Sequence, residues 1–251
     1  MGVIIVDLCL SVCRFRKQRH SVKTMSKTEL YRGKSNHYFS GVRWDIISLI
    51  PDGAHRILEV GCGTGNTLIK LRELNKAQEI IGIELNYNIL QDNCNRLDAI
   101  LVGDVEEIEP AFEEGYFDYI IFADVLEHLV NSAAILERYS LYLKSTGYII
   151  ASIPNVKNYR ILLDLVLYDK FEYADAGILD RSHLRFFTRR EMYRLFNKAG
   201  LGVVSVQPKF GGGHLGNIDR RLNHSVGRYL PGGSFLATQY IIKAIRRNGT
   251  V

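Results

Sequence analysis

Residues 57–66 read ILEVGCGTGN. Three glycines, Gly61, Gly63 and Gly65, directly follow the apolar run RILEV (56–60) and precede LIKLRELNKA (68–77), whose apolar residues have helical spacing. Glycines there serve a tight strand-to-helix turn and let a ligand approach the backbone closely. A dinucleotide fingerprint, G-x-G-x-x-G, would place its third glycine at position 66, which is Asn66. Glu59 stands two residues before the first glycine, where its carboxylate would repel a pyrophosphate.

Outward from this turn, short β-type runs alternate with helical ones. EIIGIE (79–84), AILVGD (99–104), FDYIIFA (117–123) and GYIIASIP (147–154) read as strands; YNILQDNCNRL (87–97) and SAAILERYSLYL (132–143) read as helices. Such alternation predicts βαβ units and a parallel sheet covered on both faces. Ligands of these sheets bind at the carboxyl ends of the strands, and acids stand there: Glu59, then Glu84 in IIGIELN, then Asp104 in GDVEEIE. A carboxylate at position 84 can accept hydrogen bonds from two ribose hydroxyls. Asp104, with the backbone of Val105, can read an adenine edge. A ligand with a ribose, an adenine and a cationic amino or sulfonium group fits these acids, which favours S-adenosylmethionine over NAD.

Composition bounds the remaining readings. The chain has 251 residues and a net charge of +5, but Arg14, Arg16, Lys17, Arg19 and Lys23 against Asp7 alone give the first 24 residues +4. The remainder carries only +1, so bulk charge marks no nucleic-acid surface. The apolar stretch GVIIVDLCLSVC is too short to span a bilayer, and its positive charges follow the apolar run where a signal peptide has them before it. Residues 1–24 are therefore expected to be a disordered extension, with a weak membrane-surface anchor as the alternative, and 25–251 a single domain beginning at Met25. Cys9, Cys13, Cys62 and Cys94 form no CxxC pair, which fits a reducing cytoplasm without disulfides or a zinc cluster.

Taken together, ILEVGCGTG, IIGIELN, GDVEEIE, FDYIIFADVLEHL and TGYIIASIPN resemble the class I S-adenosylmethionine-dependent methyltransferases over roughly residues 50–155. The resemblance implies a Rossmann-like, seven-stranded, mostly parallel α/β sheet with helices on both faces and an antiparallel last strand. LGVVSVQPKF (201–210) and FLATQYIIKAI (235–245) would form the final hairpin, with GGGHLGN in a loop between them. It further implies that Glu59 and the backbone of Gly61, Cys62, Gly63, Thr64 and Gly65 hold the methionine part of the cofactor. Glu84, followed by Leu85, would hold ribose, Asp104 and Val105 adenine, and Ala123 and Asp124 would lie beside the methyl donor. The second half resembles a methyltransferase subgroup with PN after strand five and GILD…HLRFFT before the last helix. Many of its members are bacterial and occur with sugar or lipopolysaccharide biosynthesis. Thr188 and Glu191 form a T-x-x-E capping box for that helix and Gly200 a C-terminal stop, so GILDRSHLRFFT (177–188) is expected to be a loop over the active site.

Methyl transfer to an oxygen needs a base as well as proximity. His128, in DVLEH, and His183, in RSHLRFF, are the catalytic candidates, and Arg185 is the candidate grip on an anionic substrate. The expected acceptor is an oxygen, secondarily a nitrogen, of a small molecule or a saccharide- or lipid-linked precursor. Asp124, Glu127 and His128 lie at i, i+3 and i+4, with His183 as a potential fourth ligand. Similar groupings occur in the metal-using ubiquinone O-methyltransferases and small-RNA terminal 2′-O-methyltransferases, but those more often have Glu where Asp124 stands. The sequence reading therefore assigns no metal. A nicotinamide oxidoreductase and a non-catalytic cofactor-binding protein are the rival readings; the glycine spacing and Glu59 oppose the first, and the intact cofactor set with two histidines opposes the second.

Overall fold

The computed structural model describes residue 34 and residues 39–90, 92–211 and 235–247. The basic extension expected over 1–24, and all of GGGHLGN except Gly211, lie outside the described residues.

Seven strands form one sheet: β1 (Arg56–Val60), β2 (Glu79–Glu84), β3 (Ala99–Val102), β4 (Phe117–Ala123), β5 (Leu143–Pro154), β6 (Leu201–Lys209) and β7 (Gln239–Arg246). Their order is β3-β2-β1-β4-β5-β7-β6. β1 pairs in parallel with β2 and β4, β2 with β3, and β4 with β5. β7 inserts antiparallel between β5 and β6, so the last strand is reversed as expected. The order turns back between β1 and β4, which opens a crevice at the carboxyl ends of those two strands.

Alternate residues of the central strands feed two cores. Leu58, Val60, Ile120 and Phe122 meet Leu136 and Tyr139 of α4 (Ser132–Ser140) and Met192 and Phe196 of α6 (Arg189–Lys198) on one face. Ile57, Tyr119 and Ile121 meet Ile46 and Ile47 of α1 (Trp44–Ile47) and Leu68 and Leu71 of α2 (Asn66–Glu73) on the other. Both faces are covered because a parallel strand buried on each side has only apolar partners to offer.

The local predictions differ from the structure in three places. The helix expected over 87–97 is only α3 (Tyr87–Leu90) and a 3₁₀ turn at Cys94–Arg96. Asparagine side chains take the backbone's partners there: Asn86 Oδ1 accepts from the Asn88 N–H (3.1 Å), and Asn93 donates to the Thr64 carbonyl (2.8 Å). The capping box at α6 forms by its threonine half: Thr188 Oγ1 accepts from the Glu191 N–H (3.3 Å), while the Glu191 carboxylate receives Arg194 (2.6 Å). A helix for which the sequence reading has no counterpart, α5 (Tyr159–Tyr168), starts at Asn158, whose side chain accepts from the Arg160 N–H (3.1 Å). It buries none of its residues.

Candidate functional site

β1 enters α2 through a turn in which Gly61, Gly63 and Gly65 have φ of 69°, 54° and 75°, a left-handed region that disfavours side chains. A Cβ on Gly63 would also lie 2.5 Å from the Phe39 carbonyl oxygen. The close neighbour of this turn is thus partly the chain's own segment before β1. Phe39 accepts from the Thr64 N–H and hydroxyl (both 3.2 Å), and Ser40 accepts from Asn66 (2.9 Å). The Glu84 carboxylate ties the turn to the next strand end, accepting from the Gly63 N–H (2.9 Å) and the Asn86 N–H (3.0 Å). Its pKa is nevertheless raised by burial, which those backbone bonds only partly offset.

Glu59 is 3% exposed, and its Oε2 has no hydrogen-bond partner among the described residues. Burial pushes its carboxyl up to about 8; nearby Arg43 works against that shift and Glu84 adds to it. The Cys62 thiol, also buried, is pushed well above its ordinary range by burial and then by Glu59 and Glu84. It packs as a small apolar group against Gly82, where a Cβ would meet its Sγ at 2.6 Å.

These groups line a cavity of about 530 Å³ at the carboxyl ends of β1, β2 and β4. Of the residues singled out from sequence, it gathers Glu59, Gly61, Cys62, Gly63, Glu84, Leu85, Asp104, Val105, Ala123, Asp124, His128 and His183. Thr64 and Gly65 stand behind the lining, Gly65 as the residue that opens α2. Arg185 is outside it as well: its guanidinium donates to the carbonyls of Leu129 (3.1 Å) and Val130.

Arg43 is a lining residue that sequence reading missed, as are Asp180, Ser182 and Gln239. It reaches Asp124 and Asp45. Burial opposes its charge, but Asp124, Asp45 and Glu59 together hold its pKa above the ordinary value. Nothing in the segment GVRWD marks this role, because its main partner is 81 positions away. Asp124 has φ 56°, an unusual conformation for a residue other than glycine. Its Oδ1 accepts from Ser152 (3.0 Å) and Gln239 (2.7 Å), and its Oδ2 from Arg43.

Past Asp124 the chain makes a 3₁₀ turn, Leu126–His128. The Glu127 carbonyl accepts from the N–H groups of Leu184 (2.9 Å) and Arg185 (3.0 Å), which docks the 177–188 loop on this turn. The loop is therefore an ordered part of the cavity wall, with Asp180, Ser182 and His183 buried. His128 Nδ1 lies 3.0 Å from the Ser182 carbonyl, and His183 Nδ1 lies 2.9 Å from that of Ile178. The two rings meet edge to face, with centroids 4.7 Å apart. Burial, and then His183, pushes His128 down to about 4; burial also lowers His183. Burial thus disfavours the charged form of both imidazoles. Glu127, 1% exposed, has neither carboxylate oxygen hydrogen-bonded among the described residues, and burial followed by Asp124 raises its pKa well above the usual range.

Known proteins fit this geometry. A family described as "Methyltransferase domain" matches residues 14–206. A demethylmenaquinone methyltransferase of Bacillus cereus is 27% identical over 173 residues, covering 61% of this chain and 72% of its own. In fold, the chain is similar to an S-adenosylmethionine-dependent methyltransferase of Archaeoglobus fulgidus (TM-score 0.58, 17% identity, 84% of this chain and 97% of that one). It is likewise similar to one of Thermotoga maritima (TM-score 0.58, 18% identity, 88% and 100%). Since the family match spans most of the chain, the chain belongs to the methyltransferase-domain family.

Proposed function

We propose that this protein transfers a methyl group to an oxygen of a small molecule or of a saccharide- or lipid-linked precursor. The observation that carries this reading is the pair His128 and His183 in the wall of the cavity that also holds the strand-end acids. With each Nδ1 against a backbone carbonyl, each ring has its proton at Nδ1 and its lone pair at Nε2. Such a nitrogen can take the proton that a hydroxyl must lose as it is methylated.

S-adenosylmethionine supplies the methyl group, already activated as a sulfonium. Its fit rests on Glu59 Oε2, a buried acceptor without a partner among the described residues that suits a cationic amino group, and on Gly61 and Gly63, which line the cavity beside it. In this reading Glu59 and the 61–65 turn hold the methionine part, Glu84 the ribose, and Asp104 with Val105 the adenine. Ala123 and Asp124 would lie beside the methyl group, with Asp124 held in place by Arg43.

A second acceptor reading, a quinone such as the one named for the Bacillus cereus relative, is favoured by α5. Val166, Leu167 and Tyr168 on that helix are 76%, 63% and 72% exposed, a surface suited to an apolar acceptor. Among the described residues no helix is long and apolar enough to cross a membrane. A cytoplasmic setting is part of the proposal, supported by Cys62, a buried free thiol. Incubation with S-adenosylmethionine labelled in the methyl group, against hydroxylated saccharide, lipid-linked and quinone acceptors, tests the proposal. Mass spectrometry of the product then locates the new methyl group; label found only on carbon or nitrogen refutes the oxygen reading.

A further inference from the structure

The least satisfied group in the cavity is Glu127. It is 1% exposed, lines the cavity, and neither of its carboxylate oxygens has a hydrogen-bond partner among the described residues. An ionised carboxylate in that state is strongly unfavourable unless a cation or donor completes it, and a neutral carboxyl there still leaves its O–H and C=O without partners. Among the described residues, Arg43 does not complete it, being engaged by Asp124 and Asp45. The nearest ionisable partner is His183, whose Nε2 is 3.9 Å from Glu127 Oε1, beyond hydrogen-bond length. Ligand atoms of Glu127, His128 and His183 all lie within 4.8 Å of one another, a spacing that one ion between them would span.

The surroundings of the histidines point the same way. Metal-binding imidazoles characteristically donate their other ring N–H to a carbonyl or carboxylate, which fixes the tautomer and aims the lone pair. Here Nδ1 of His128 is held by the Ser182 carbonyl and Nδ1 of His183 by the Ile178 carbonyl. The backbone fixes the triad too, since the Glu127 carbonyl anchors Leu184 and Arg185, next to His183 in the chain. The sequence spacing suggests Asp124 as a further ligand, but its carboxylate is already satisfied by Ser152, Gln239 and Arg43.

We infer that Glu127, His128 and His183 form a binding site for one divalent transition-metal cation, with positions left open towards the cavity for an acceptor oxygen. Two imidazoles and one carboxylate suit Zn²⁺, Co²⁺, Fe²⁺ or Mn²⁺ better than Mg²⁺, which prefers oxygen ligands and keeps its waters. This departs from the sequence reading, which assigns no metal. It rests on the oxygen-acceptor proposal for its role: a hydroxyl bound at the cation loses its proton to water more readily. The O–CH₃ bond then forms as the S–CH₃ bond breaks; with the cation in place the Nε2 lone pairs are ligands, and water takes the proton that they take in its absence.

The test is a titration of the metal-stripped full chain with Co²⁺, read by its visible absorption, with Zn²⁺ as competitor and no acceptor present. One equivalent bound is expected, displaced by Zn²⁺, with binding weakened about 100-fold or more in Glu127→Gln and in His183→Ala. Calorimetry with S-adenosylmethionine, whose proposed contacts exclude both residues, shows that each variant is folded. No Co²⁺ or Zn²⁺ uptake by the wild-type chain overturns the inference, as does unchanged affinity in a folded Glu127→Gln. Because no acceptor is used, a failed metal test leaves the oxygen-acceptor reading standing. Conversely, a metal-binding protein that methylates only carbon or nitrogen removes that reading and keeps the site.

Discussion

Replacing Glu59 by Gln should stabilise the unliganded protein at neutral pH while weakening its hold on S-adenosylmethionine. The folded carboxyl is pushed up to about 8 by burial, against an ordinary value of 4.5. Between those values the folded protein keeps a proton that the unfolded chain has lost. The contribution therefore favours folding at low pH, and it is lost as pH rises towards 8. Between about pH 5.5 and about pH 7.5 the wild type should lose about 2–3 kcal/mol that the Gln variant does not, roughly 1 kcal/mol or a little more per pH unit and less where Glu59 begins to ionise. For a domain of this size that is a relative shift of about 5–10 °C in melting temperature. Thermal or urea unfolding of both proteins at the two pH values measures it. Parallel pH profiles would show that Glu59 is not held protonated, and the reasoning from burial would fail. The ligand arm is independent. A cationic amino group needs the ionised carboxylate, so binding near pH 6.5 should release about one proton, seen as a buffer-dependent heat in calorimetry. In Glu59→Gln the release should vanish and affinity fall about 10- to 150-fold, the equivalent of a charged hydrogen bond.

Further predictions follow the same contacts. Glu84→Ala should weaken S-adenosylmethionine binding by about 1.5–3 kcal/mol, and it should also lower the melting temperature, because the Gly63 and Asn86 N–H groups lose their acceptor; unchanged calorimetric affinity would remove Glu84 from the ribose site. His183→Ala and His128→Ala should leave that affinity intact and slow methyl transfer by about 10²–10⁴, and wild-type rates in both would leave proximity alone as the catalytic device. Thr188→Ala should cost about 1 kcal/mol through the lost cap on α6, read as a drop of about 2–4 °C in melting temperature; no drop would mean that the cap is not formed in solution.

The sequence by itself determined the sheet and the strand-end acids that line the cavity. Strand runs are local, their near-continuous apolar character follows from burial on both faces, and residues at their carboxyl ends lie together once the strands are parallel. Glu59, the glycine turn, Glu84 and Asp104 are accordingly readable from spacing. Tertiary structure decided the rest, because the deciding pairs are distant in the chain. Arg43 meets Asp124 across 81 positions, Gln239 reaches Asp124 across 115, and the Ser182 carbonyl holds His128 across 54. Gln239 arrives only because β7 inserts beside β5. Asp124 has the spacing of a ligand to Glu127 and His128, yet its left-handed backbone turns it to Arg43, Ser152 and Gln239. Arg185 sits two residues from His183, yet its side chain closes on the Leu129 and Val130 carbonyls outside the cavity. Hydrogen-bond partners that satisfy a buried or bent segment are set by what packs against it, and that is a property of the fold rather than of any single stretch of the chain.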